Sequence, residues 1–230
     1  MSPVVDGRVH HFGARGVYNG LLLIGDHETG SFWDHITGRC VYGPLTGRQL
    51  ESSPLLHANV AQALAQHPDC HLAVSRLTLL QKLNVVCMRP FLKSRRGFFP
   101  PVFKNTMSAE DRRRPRMDIG LGVWAQQSQR YYPLATLRQC GSAVVDSLGG
   151  RGLLVYIDPA SGTPAAFYTD AGGCTWRGGD LLLDNAQAVR EGRLCNADSG
   201  TALESERPMQ MFTRWYGFAC TFPGCDIFEK

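Results

Sequence analysis

Turn-forming residues interrupt this chain so often that long helices have little room. Its 230 residues include 25 Gly and 13 Pro, residue types that end helices and strands because one admits left-handed backbone and the other removes an amide donor. The apolar runs between them, such as Gly20 to Ile24 and Leu153 to Ile157, have the length of strands. They fall far short of the roughly 18 apolar residues that a membrane span needs. The expected fold is therefore α+β and strand-dominated. With 43% hydrophobic and 19% charged residues, the chain is apolar enough to fold throughout.

Ordered landmarks recur along the chain. Gly25-Asp26, Gly38-Arg39-Cys40, Gly47-Arg-Gln-Leu50-Glu51-Ser52 and Pro68-Asp-Cys70 return as Gly179-Asp180, Gly192-Arg193 with Cys195, Gly200-Thr-Ala-Leu203-Glu204-Ser205 and Pro223-Gly-Cys225. A near-constant offset predicts two related hairpin-rich units, each closed by a short helix. The first spans 1–88 and the second 117–230, packed as one globular body. Leu21 to Ile24, the turn 26–30 and Ser31 to Trp33 read as a hairpin. Apolar positions 60, 61, 64 and 65, stopped by Pro68, read as a helix over 58–66. The matching helix falls at 212–220, and strands follow at 71–74 and 226–228. Leu50 and Leu203 are expected at matching buried sites, and Cys70 and Cys225 as buried thiols under the two helices.

Residues 89–116 differ from the rest, with nine Lys or Arg against two acids. Pro90, Pro100, Pro101 and Pro115 suggest an extended, solvated connector anchored by Phe91, Phe98, Phe99 and Phe103. Those aromatics among basic residues would also suit base stacking, but nucleic acid is the disfavoured reading. No membrane partner is expected; a homo-oligomer or a protein partner is. The chain does not open on a basic head with an apolar run, so the cytoplasm is the default expectation. An exported protein with its leader removed would give the same sequence. Eight scattered cysteines form no Cys-x-x-Cys pair, which argues for reduced, packed thiols over a zinc ribbon.

Across most of its length the chain resembles a bacterial family known as domain of unknown function 3179. The strings that carry the resemblance are Val5-Asp-Gly-Arg, Phe12-Gly, Tyr18-Asn19, Asp26-x-Glu-Thr-Gly-Ser-x-Trp33, Gly43-Pro-Leu-x-Gly47 and His67-Pro68-Asp69. Asp111-Arg-Arg, Gly120-Leu-Gly-Val123, Tyr132-Pro-Leu134, Leu148-Gly-Gly150 and Trp215-Tyr-x-Phe-Ala with Phe222-Pro223 continue it in order. The resemblance implies a fold and a lineage without an activity. Family members carry an N-terminal Cys-Pro-x-Cys segment that this chain lacks, so any chemistry resting on those cysteines is not expected here. The histidines His10, His11, His27 and His35 also depart from the family pattern.

Those histidines are the strongest chemical candidates, because neutral imidazole is the commonest ligand for zinc or copper. Strand alternation would bring His11, His27 and His35 to one face and turn His10 away, with Asp26, Glu28 and Asp34 near enough in sequence to orient the rings. Cys70 lies between His67 and His71, but neighbours on a strand face opposite sides, which disfavours a nucleophile–base pair. Asp26 and Asp180 read as turn acids. Phosphate-loop, nucleophile-elbow and zinc-protease motifs are all missing from the sequence. The functional expectation is a soluble binding or scaffold module. Its alternatives are a metal-dependent, hydrolase-like enzyme using the N-terminal histidines, and an assembly subunit docking through its N-terminal edge.

Overall fold

The computed structural model describes residues 1–71, 73–74, 76–93, 101–107 and 109–230. The chain is strand-dominated α+β, with five small sheets and a few short helices among the described residues. No helix among them is long and apolar enough to cross a membrane. Two compact units interleave along the sequence. One is Met1–Ser53 with Arg95–Met117 and Arg214–Gly224; the other is Pro54–Ser94 with Asp118–Thr213 and Cys225–Lys230.

The first unit is built on a four-stranded antiparallel sheet of Phe12–Tyr18, Leu21–Asp26, Phe32–Asp34 and Cys40–Tyr42, in that spatial order. A two-stranded ribbon, Val4–Val5 with Arg8–Val9, precedes it. Its core is small: Val5, Trp33, Cys40 and Leu50 are buried, and Phe12, Ile24 and Leu45 pack against them. Phe12 meets Trp33 edge-on at 5.8 Å between ring centroids, the geometry favoured by the opposed charges of ring face and ring edge. The Trp215–Thr221 helix buries Trp215 and Phe218, and the Trp215 indole donates to the Asp111 carbonyl at 2.9 Å.

The second unit holds a three-stranded sheet whose central strand, Arg151–Ile157, pairs with Ala143–Leu148 and Pro164–Tyr168. That strand reads as an unbroken apolar run because both of its faces are covered. Leu153, Val155 and Ile157 enter one hydrophobic cluster, and Leu154 and Tyr156 enter another, as a period of two requires. The remaining strands form a meander from Cys174–Arg177 to Arg193–Asn196, and a sheet ordered Met209–Arg214, Ile119–Ala125, Ser128–Pro133, Asp226–Ile227. Gly152 lies on the central strand where a side chain would collide with the Thr169 carbonyl. Gly152→Ala should therefore destabilise this unit by about 1–3 kcal/mol, as overpacking of a close backbone approach does, and a urea titration measures it.

The hairpin expected over 21–33 and the helix at Val60–Gln66 are present. The helix carries a capping box between Asn59 and Gln62. The recurrent landmarks fare differently. Gly25-Asp26 ends a strand whereas Asp180 opens one, and Leu50 is 3% exposed against 38% for Leu203. Of the paired thiols, Cys225 is buried but Cys70 is partly exposed. The described residues among 71–74 are not strand, and Phe212 belongs to a strand that ends where the last helix begins. The expectation that prolines keep 89–116 extended also needs correction. Helices cover Leu79–Lys93 and Pro101–Lys104, the latter starting on a proline because that position has no helical amide to satisfy. Phe98, Phe99 and Pro100 lie outside the described residues.

What does recur is a turn. The six-residue pattern Asp/Asn-x-x-Ser/Thr-Gly-x occurs at 26–31, 34–39, 158–163 and 196–201. In all four the first amide donates to the sixth carbonyl at 2.9–3.0 Å. The side-chain oxygen of the first residue accepts from the turn's own amides. The hydroxyl of the fourth accepts from the sixth amide at 3.3 Å. The glycine has φ between 68° and 76°, a left-handed conformation that costs other residues energy.

Candidate metal centre

Of these turns, the one at Asp26 is exceptional in its surroundings. Pairing of Phe12 with Asp26 carries the preceding residues, His10 and His11, alongside the turn. The His10 amide donates to Pro3 and the His27 amide to His11, which anchors both ends of this stretch. Asp26 is fully buried. Its carboxylate accepts from the Thr29 amide at 2.6 Å, the Thr29 hydroxyl at 2.8 Å and the Trp33 indole at 2.8 Å. Burial alone would push this carboxyl up, but the hydrogen bonds from Trp33 and Thr29, with a contribution from His10, outweigh it and hold it below its ordinary value. Glu28 is held by His11 through the backbone amide at 2.9 Å and the ring Nδ1 at 2.7 Å. These bonds lower its carboxyl to about 2.

Both carboxylates face His10. This side chain is 8% exposed, and no protein group hydrogen-bonds its Nδ1. That nitrogen lies 3.6 Å from Asp26 Oδ1 and 3.8 Å from Glu28 Oε2, beyond hydrogen-bond length. The ligating atoms of His10, Asp26 and Glu28 all fall within 4.8 Å of one another. Bonds of roughly 2.0–2.2 Å to one tetrahedral ion place neighbouring ligand atoms about 3.3–3.6 Å apart. The three groups are thus near enough to converge on one ion with a small inward shift, and at the same distances a protonated His10 would pair with both carboxylates.

The three histidines expected to converge do not form one group: His11 and His27 adjoin through the backbone, but their rings are otherwise engaged and His35 lies elsewhere. His11 is 80% exposed and bound to Glu28, and the ring of His27 lies against Gly13. His35 turns back so that its Nδ1 sits 2.7 Å from the Leu22 carbonyl. Leu22 precedes Asp26 by four strand residues, about 13 Å at the rise of a β-strand, so His35 does not meet His11 at the turn. His10, expected to point away, is the histidine aimed at two carboxylates. The signal for it was its parity with Phe12, a core-facing residue.

The other candidates read as structure. Asp180, which shares a landmark with Asp26, forms a partly exposed ion pair with Arg190 at 2.6 Å. Cys40 and Cys195 are buried and donate to the Tyr42 and Ala188 carbonyls. Burial pushes the Cys220 thiol up to about 11, which disfavours the thiolate a nucleophile requires.

Comparison with curated proteins and with solved structures gives no match. A family model does match, covering residues 2–216 and with them the Asp26 turn, its histidine neighbours and nearly all of both units. The chain belongs to the family described as "Protein of unknown function (DUF3179)".

Proposed function

We propose that this protein is a divalent-metal-binding module in which His10 Nδ1, Asp26 and Glu28 hold one ion, with zinc the best-suited occupant. The observation that carries the reading is the buried His10 Nδ1, without a hydrogen bond, between two anionic carboxylates. A buried polar atom without a hydrogen bond is costly, and a cation at this point would satisfy it while neutralising the carboxylates. One nitrogen and two oxygens suit zinc or manganese better than the softer copper sites. The donors around Asp26 and the His11 bonds to Glu28 would orient these ligands from behind. Binding ranks ahead of hydrolysis because Glu28, the more exposed carboxylate, is itself one of the three ligands and so is not free to serve as a general base.

Such an ion would clamp the segment before the first long strand to the hairpin turn. Purified protein should take up one zinc per chain, read by elemental analysis and calorimetric titration. His10→Ala should weaken uptake at least a hundredfold. His11→Ala should weaken it about tenfold, as loss of an orienting partner does, and His35→Ala should leave it unchanged. Zinc at a hundred times its dissociation constant should also stabilise the first unit by about 2.7 kcal/mol. Equal uptake by the wild type and His10→Ala would sink the assignment.

A further inference from the structure

The helix Leu79–Lys93 in the second unit leaves its described side chains exposed all round, Val85 on one side at 49%, with the largest apolar exposure gathered on the other. Leu79 is 86% exposed, Leu80 81%, Leu83 62% and Val86 61%. At 100° per residue these four positions cover one face, and the basic position 82 borders it. The helix starts on a reciprocal cap, with the Thr78 amide donating to Gln81 at 2.9 Å and the Gln81 amide to the Thr78 hydroxyl at 3.3 Å. Around it, residues 70–109 contain seven Lys or Arg and not one Asp or Glu.

We propose that this helix docks on an anionic phospholipid surface, lying in the interface with its Leu79–Val86 face among the acyl chains and Lys82 at the headgroups, within a stretch of chain that carries only basic charge. Fifteen residues give a helix of about 22 Å, too short to cross a hydrocarbon core of roughly 30 Å. An apolar face bordered by lysine and arginine is the pattern of helices that lie on membranes. Charge selects this occupant over the alternatives. A second copy would bring the same basic, acid-free stretch against itself. A nucleic acid would use the charge but leave four leucine and valine side chains without a reason to face outward. The proposal is independent of the metal centre.

The test is cosedimentation of the full chain with vesicles of phosphatidylglycerol and phosphatidylcholine in equal parts, against phosphatidylcholine alone. Binding should be at least tenfold tighter to the anionic vesicles and should weaken with salt. The double variant Leu79→Ser, Leu83→Ser should lose at least tenfold, since each leucine forfeits its burial, with an unchanged circular dichroism spectrum because both residues are exposed. Lys82→Glu should lose about fivefold or more. Equal binding to neutral vesicles, or no loss in the leucine variant, would overturn the proposal. So would a wild-type oligomer that the leucine variant dissolves without any vesicle binding. Polynucleotide binding that displaces the vesicles and survives the leucine substitutions would assign the stretch to nucleic acid instead.

Discussion

Replacing Asp26 by Ala should cost the first unit about 3–5 kcal/mol, since each buried donor left without its acceptor costs about 1–3 kcal/mol. Three donors lose their acceptor at once: the Trp33 indole, the Thr29 amide and the Thr29 hydroxyl. Trp33 is itself fully buried, so water reaches its nitrogen only if the small core around it loosens. The control is Asp34→Ala in the neighbouring turn of the same pattern. Asp34 accepts from the Ile36 amide and the Thr37 hydroxyl in a half-buried setting, and its loss should cost about 1 kcal/mol, as for a typical capping side chain. Urea titrations of both variants, followed by tryptophan fluorescence, separate the two. Equal losses would show that only the turn matters and that the buried bond to Trp33 contributes nothing.

The same carboxylates set an acid limb. Asp26 is lowered by the bonds from Trp33 and Thr29, and Glu28 falls to about 2 through His11. Folded values below unfolded ones mean that their stabilisation is complete above the unfolded carboxylate range near pH 4. It is lost as pH falls through the folded values. Asp26→Ala should therefore flatten the decline of stability as pH falls below the unfolded carboxylate range near 4.

Much of this architecture can be read from residue order, and the parts that cannot share a cause. The 21–33 hairpin follows from a turn pattern with apolar flanks, and the helix at 60–66 from four apolar positions and a proline, because local chemistry decides both. Leu50 and Leu203 share a six-residue pattern and a near-constant offset. Yet burial depends on what packs over a site, and that cover differs between them. The histidines show the same limit. Alternation places side chains only within a strand, and His10 and His11 lie just before one while His35 lies in the turn after another. There the Asp34 turn swings His35 onto Leu22, and Glu28 captures His11, leaving His10 to face inward. The histidines mark the stretch of sequence where His10 meets Asp26 and Glu28. Which of them does so is decided by hydrogen bonds between residues up to 17 apart.

In the second unit the largest loss should come from Phe167→Ala, about 3–5 kcal/mol for truncating a buried aromatic ring. Phe167 is fully buried. It stands opposite Leu154 in the three-stranded sheet and meets Tyr156 at 5.9 Å and 64°. The Arg207 guanidinium lies 5.7 Å from its centroid while donating to the Ala166 carbonyl at 3.0 Å and the Gly192 carbonyl at 3.4 Å. The ring thus fills the cluster it shares with Leu181 and Val189 and also offers its face to a cation held by two carbonyls. Truncation would open a cavity where strands on both sides hold the backbone apart, so collapse cannot recover the lost contacts. Phe167→Leu keeps most of the volume and should cost less than about 1.5 kcal/mol, with part of that reflecting the ring face lost to Arg207. Trp176 packs on the same cluster, so its fluorescence reports the transition in a urea series. If the alanine variant loses no more than the leucine variant, this face of the sheet is not the core that the burial of Leu154, Tyr156 and Phe167 implies.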